Sequence, residues 1–162
     1  MTTFELPNRS GARPRTTAPT RDDPFPHQQL DQRAPEHLQE ALFQRARRLG
    51  DVRVGRSLVS LPQSRAFHLE PGAVGGPAAA FQRGTEFAHI HTGNDGSLHL
   101  TLPPQLYAEV LRAGWGEPHP ISGTMMLFGP RDEGELRIAW RILEASWSWA
   151  RRGQTTPALD GE

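Results

Sequence analysis

Three of the chain's seven histidines fall in one short stretch, EFAHIHTGNDGSLHL, at His89, His91 and His99. Imidazole ionises nearest neutrality of all the side chains, so it takes or gives a proton there, and in its neutral form it ligates metals. What it does here depends on which way the rings point. Successive side chains of a strand face opposite sides. Folded as a hairpin with the five-residue loop TGNDG, the stretch sets His89 opposite His99 and His91 opposite Ser97. Ala88, Ile90, Leu98, Leu100 and Leu102 then share one face, and the three histidines share the other with Phe87. A slip of one residue would put the leucines beside the histidines, so the hydrophobic pattern selects the register. Opposed rings have Cβ atoms ~4.5–5.5 Å apart. Two charged imidazoles would repel at that distance, so at least one is neutral at pH 7 and able to accept a proton or bind a metal.

A second group lies downstream in AGWGEPHPISG. Gly114 and Gly116 permit backbone angles that other residues avoid, and Pro118 and Pro120 stiffen the chain on either side of His119. Trp115, Glu117 and His119 on such a loop suit a wall beside a planar ligand; the same stretch also reads as a helix C-cap followed by a packed Trp. Arg131, in GPRDEGE, has the forked donor set that holds an anionic or enolate oxygen, and it has Asp132 and Glu135 at hand as surface partners. His27, His37 and His68 have no comparable setting and read as structural.

The elements that must position these groups are set by periodicity and punctuation. PEHLQEALFQRARRLG is a helix opened by Pro35, striped by Leu38, Leu42, Ala46 and Leu49, and ended by Gly50. Short extended segments are expected at Val52–Val54, Ser57–Leu61, Arg65–Leu69, Ala79–Arg83, Glu86–His91 and Ser97–Leu102. PQLYAEVLRAG is a second helix, TMMLFGP a buried strand, and DEGELRIAWRILEASWSWARR a last helix with apolar residues on two sides, hence packed between elements. Asp132 with Glu135 resembles a capping box. The order of elements indicates an α+β fold: one domain, a mainly antiparallel sheet bearing the histidine hairpin, and about three helices. Residues 1–33, with five prolines, are expected to form a mobile tail on which Phe4, Leu6 and Phe25 could still dock, residues 34–152 the domain, and residues 153–162 a second mobile tail.

The totals exclude several functions. Eighteen basic residues balance eighteen acidic ones, so no global field recruits nucleic acid or a membrane surface. The chain has no cysteine, which removes disulfides, thiolate metal sites and a cysteine nucleophile. No apolar run reaches the ~20 residues of a membrane span, and MTTFELPNRS lacks the features of a secretory signal. A cytoplasmic, soluble protein with a small-molecule substrate is the expectation.

Taken together, EFAHIH, DGSLHLTLP, AGWGEPHPISG, LFGPRDEGEL and ILEAS resemble the luciferase-like domain family, which includes the fungal luciferases and many bacterial proteins. SLVSLPQSRAFHLEPG extends the resemblance upstream, so that it spans about residues 35–152. It implies an oxygenase-type enzyme that uses O2 on a planar enolic or phenolic molecule of the hydroxy-pyrone type, without an organic cofactor, through a strained cyclic peroxide that loses CO2. Such chemistry needs a base for the enol, here His89 or His99. It needs donors for the anion, from His91, His119 or Arg131, with Glu117 fixing a tautomer. It also gains from a water-poor pocket, for which Trp115, Phe87 and Phe128 are candidates.

Two other readings use the same residues. His89, His91 and His99 offer three nitrogens to Zn, Fe, Mn or Cu, as in a metal-dependent oxygenase or hydrolase. A non-catalytic module could instead use the histidine face to recognise a planar phenolic ligand.

Overall fold

The computed structural model describes residues 4–93 and 95–154. Six antiparallel strands form one sheet: β1 (Val52–Arg56), β2 (Arg65–Leu69), β3 (Glu86–Ile90), β4 (Leu98–Leu100), β5 (Gly116–Pro118) and β6 (Met125–Leu127), in the order β1-β2-β3-β4-β6-β5. Three helices accompany it: α1 (Glu36–Ala46), α2 (Pro104–Ala113) and α3 (Glu133–Arg152). The α+β expectation is therefore met.

One face of the sheet is the core. Phe67, Leu69, Ile90, Leu98, Leu100, Met125 and Leu127 are all buried there. They pack against Leu38, Leu42 and Phe43 of α1 and Leu136, Ala139 and Leu143 of α3. Both apolar stripes of α3 find partners, with Ala145 and Trp149 buried as well as Leu136 and Ala150. Asp132 caps α3 by accepting the Glu135 amide at 2.8 Å. Gly114, at φ +82°, ends α2 in the left-handed conformation that glycine adopts without strain.

The hairpin register is the expected one: His89 pairs with His99 and Ile90 with Leu98, and the His91 amide donates to Ser97 O at 2.9 Å. Three expectations differ in detail. Ser57–Leu61 is a loop, because the Leu58 amide donates to Glu86 and the Ser57 hydroxyl accepts the amides of Val59 and Ser60. Ala78–Ala80 is a 3₁₀ turn. Gly116–Pro118, read as loop, adds the edge strand β5, and a Cβ at Gly116 would lie 2.4 Å from Met126 O.

The largest departure is at the beginning of the chain. The segment expected as a mobile tail lies along the domain. Leu6 is buried, its amide donates to Glu109, and Pro7 O accepts the Trp115 indole N–H. Further on the segment doubles back: Thr16 pairs with Gln29, and the Leu30 amide donates to Arg15 O. This strap crosses the sheet face opposite the core. The expected second tail falls mainly on residues 155–162, outside the described residues. No helix among the described residues is long and apolar enough to cross a membrane.

Candidate functional site

Across the sheet, one rung of the second face reads Gly55, Ala66, His89, His99, Met126, Glu117. The rung sets two imidazoles side by side and a carboxylate two strands away. His27, carried in by the strap, spans that gap: its Nδ1 is 3.0 Å from His99 Nε2 and its Nε2 is 3.0 Å from Glu117 Oε1. Arg13 of the same strap also bonds Glu117. On the other side His99 Nδ1 is 3.2 Å from His89 Nε2 and 3.2 Å from His91 Nε2. His119, following β5, stands 5.0 Å from the His27 ring and 5.4 Å from the His99 ring, centroid to centroid. Five histidines thus form one cluster.

Each outer ring is fixed from behind. His89 Nδ1 is 2.9 Å from Glu86 Oε2. His91 Nδ1 is 3.0 Å from Ser97 Oγ and 3.4 Å from Asp95 Oδ1. Ser97 donates its own proton to Asp95 Oδ1, at 2.9 Å, so its oxygen accepts from His91. His119 Nδ1 accepts the amides of Ile121 and Ser122, at 3.1 and 3.3 Å; its proton therefore sits on Nε2.

Glu86 reaches the histidines because β3 carries a bulge. Phe67 pairs with Ala88 and the next residue, His68, with Glu86, so Phe87 is an extra residue in the strand. A bulge puts two successive side chains on one side and re-aims those beyond it. Phe87 accordingly joins Ala88 in the core, 6.4 Å from the Phe67 ring, and Glu86 turns to His89. The expectation that Phe87 shares the histidine side is corrected on this ground: strict alternation fails at one residue.

Burial raises the carboxyls of Glu86, Asp95 and Glu117, but their hydrogen bonds outweigh it, those from His89, His91 and His27 foremost on the respective groups, and hold all three below the ordinary range. Burial, then the neighbouring imidazoles, pushes His99 well below its usual value, and the same causes lower His119. His89 is lowered by burial despite the opposing bond to Glu86.

The cluster is the floor of a cleft of 530 Å³. Phe25 and Pro26 of the strap, Val59 and Leu61 of the β1–β2 loop, and Ile121 supply apolar walls, and His27, His89, His91, His99 and His119 line the floor. The volume suits a small organic molecule.

The sequence candidates divide accordingly. His89, His91, His99, His119 and Glu117 come together. Arg131 does not: its guanidinium bonds both Glu135 oxygens, Gln32 Oε1 and Ser10 O, away from the cleft. Trp115 is buried with its N–H on Pro7 O, and Phe128 lies under Arg9, 5.3 Å from its ring; neither lines the cleft. Glu117 faces a histidine, His27, whose Nε2 lies 3.0 Å from its Oε1. His27 itself, read as structural, belongs to the site, as do Glu86 and Asp95, which the sequence did not single out. His37 is exposed on α1. His68 donates to or accepts nothing in the cluster and bonds Arg56 O.

A two-layer α+β domain whose second sheet face, crossed by the strap, carries a histidine floor under an apolar cleft has the form of a small-molecule pocket. Its sequence kinship is equally specific. Residues 84–146 match the family model described as Luciferase domain, and over this region the chain resembles the luciferase-like family. It is 41% identical over 70 residues to the luciferase of Neonothopanus nambi, an alignment covering 38% of this chain and 26% of that protein. Luciferases of Armillaria gallica and Armillaria mellea are 39% identical over the same length, with the same shares covered. The match therefore spans about a quarter of the length of these curated relatives. No solved structure matches the chain. The stretch matched by the family model contains Glu86, His89, His91, Asp95, His99, Glu117 and His119; His27 and the upstream block SLVSLPQSRAFHLEPG lie outside it.

Proposed function

We propose that this protein is a luciferase-like oxidoreductase that uses O2 to oxidise a planar enolic or phenolic small molecule of the hydroxy-pyrone class, bound on the histidine floor. The observation that carries the reading is the coincidence of two maps. The region of kinship with luciferases holds the β3–β4 hairpin and the β5–β6 segment, which supply four of the five imidazoles under one apolar cleft.

A planar ring lying between Phe25, Val59 and Ile121 presents its acidic hydroxyl to the floor. A ring nitrogen of His89 or His99 takes that proton, and the His99–His27–Glu117 chain of 3.0 Å contacts lets the charge move away from the substrate. His119, with its proton on Nε2, donates to the enolate oxygen. O2 then adds to the enolate carbon, and the resulting peroxide anion recovers a proton from the imidazolium, so the base is regenerated. Arg131, Trp115, Phe87 and Phe128 have no part in this scheme. General-base catalysis contributes roughly 10²–10⁴-fold.

The test is O2 consumption, with CO2 and light recorded together, on a 3-hydroxy-pyrone. The expected result is turnover that falls about 100-fold or more in His99→Ala. Tight binding without turnover, unaffected by that substitution, would instead mark a non-catalytic binding module and reject the reading.

A further inference from the structure

Counting protons across the floor exposes a mismatch. With the three carboxylates ionised, His89 carries its proton on Nδ1, facing Glu86, and His91 carries its own on Nδ1, facing Ser97 and Asp95. Both therefore turn bare Nε2 atoms toward His99 Nδ1. His27 carries its proton on Nε2, facing Glu117, and turns a bare Nδ1 toward His99 Nε2. A neutral His99 has one proton for its two nitrogens. If that proton serves His89 and His91, two lone pairs meet at 3.0 Å on the His27 side; if it serves His27, three lone pairs converge on the other.

A cation among those three nitrogens removes the conflict. His99 then ligates through Nδ1 and keeps its proton on Nε2, which donates to His27, whose Nε2–H donates to Glu117. Every contact is satisfied with neutral rings. The spacing agrees: tetrahedral bonds of 2.0–2.1 Å place ligand nitrogens roughly 3.3 Å apart, against 3.2 Å from His99 Nδ1 to each partner. The ligating atoms of His89, His91 and His99 all lie within 4.8 Å of one another. Metal-bound histidines characteristically donate their other nitrogen to a carboxylate or another acceptor, and here Glu86, the Ser97–Asp95 pair and the His27–Glu117 pair occupy those places.

We propose that His89 Nε2, His91 Nε2 and His99 Nδ1 bind a first-row divalent transition-metal ion whose fourth position faces the cleft. Three imidazoles without thiolate or carboxylate suit Zn, Fe, Ni or Cu and not Mg or Ca, which take oxygen ligands. The neighbouring triad His27, His99 and His119 is also compact, but His119 Nδ1 is committed to two backbone amides and its Nε2 carries a proton, so it offers no lone pair. The role of the ion in turnover rests on the functional reading above; an ion there would accept the enol oxygen and acidify it, taking over the task given to a histidine base. Binding itself does not rest on that reading.

The experiment uses the full chain, purified without a histidine tag, stripped with a chelator and titrated with Zn²⁺ and with Co²⁺, whose visible absorption reports coordination number. The expected result is one ion per chain, abolished by His91→Ala and His99→Ala, weakened roughly 10–100-fold by Glu86→Gln, and retained by His119→Ala. Circular dichroism checks that each variant is folded. Should the histidine variants fail to fold, X-ray absorption on the wild-type chain decides, with three nitrogens at about 2.0–2.1 Å expected and an oxygen-dominated shell overturning the proposal. Absence of saturable binding to the folded chain, or binding that survives His99→Ala, overturns it too. O2 uptake measured in parallel separates the two readings: a bound ion without turnover leaves this site standing and removes the oxidase, and turnover with no ion bound does the reverse.

Discussion

The two faces of the sheet are built from alternate residues of the same strands, yet they are held by different forces. On the helix side, Phe67, Leu98 and Leu100 gain from leaving water in any arrangement that fills space, and neighbouring contacts substitute for one another. On the strap side, Glu86, Asp95, His89 and His99 are buried and gain nothing unless each donor meets an acceptor. The first face tolerates changes of shape and punishes loss of volume. The second tolerates loss of volume and punishes a misplaced proton. A polar face this dry is costly for a chain that only needs to fold, and that is the physical ground for assigning the chemistry to it.

Substitutions can break or sharpen this contrast. Phe67→Ala, a cavity in the core face, is expected to cost about 3–5 kcal/mol, read as a lowered denaturant midpoint with an unchanged slope. Asp95→Asn keeps the volume of the other face and swaps one acceptor for a donor. Its oxygens accept the Gln29 amide at 2.6 Å and the Ser97 amide and hydroxyl at 2.9 Å each, so one donor must face another. A loss of about 2–3 kcal/mol is expected; a neutral result would mean that face is held by packing after all. Gln29→Ala removes the side chain that bonds Gly129 N, Asp31 O and Gln32 O. About 1–2 kcal/mol should be lost, with protease cleavage rising within residues 15–30 before the sheet opens; cleavage unchanged from wild type would count against the strap being held there. Arg131→Ala, outside both faces, should cost under about 1 kcal/mol and leave turnover as it is. Its small effect should also depend on pH. Burial raises the Glu135 carboxyl, but the bonds from Arg131 outweigh that and hold it below the ordinary range. The pair's contribution is therefore complete above the usual carboxylate pKa and disappears as pH falls through the depressed one. Melting curves of wild type and variant should differ near neutrality and converge in acid; a constant gap would place the effect elsewhere.

The same contrast explains what the sequence disclosed. The hairpin was legible because a period of two and a five-residue loop leave one register that keeps leucines from histidines. α3 was legible from its two stripes and from Asp132. His27 was not, since nothing local ties it to a partner 72 positions away; its segment shows many prolines and little apolar surface, and what fixes it is a set of buried polar bonds that composition does not reveal. Glu86 was missed, and Phe87 misplaced, because the bulge depends on how β2 pairs with β3, which no single strand records. Trp115 and Phe128 were misassigned for another reason: an aromatic side chain signals a packed environment without saying which one. Arg131 had its partner four residues on, and the nearer reading of it was correct.

The extra residue in β3 has a consequence for how such chains diverge. Because Phe87 offsets the phase of the strand, Glu86 faces His89 from three positions upstream, a spacing that regular alternation would turn into the hydrocarbon layer. With Phe87 excised and the bulge gone, Glu86 would stand two positions upstream and still face His89. The carboxylate needs either the bulge or the shorter spacing, and having both would turn it away. Among sequences with the same histidines, the spacing upstream of the H-x-H pair is then the first thing to inspect.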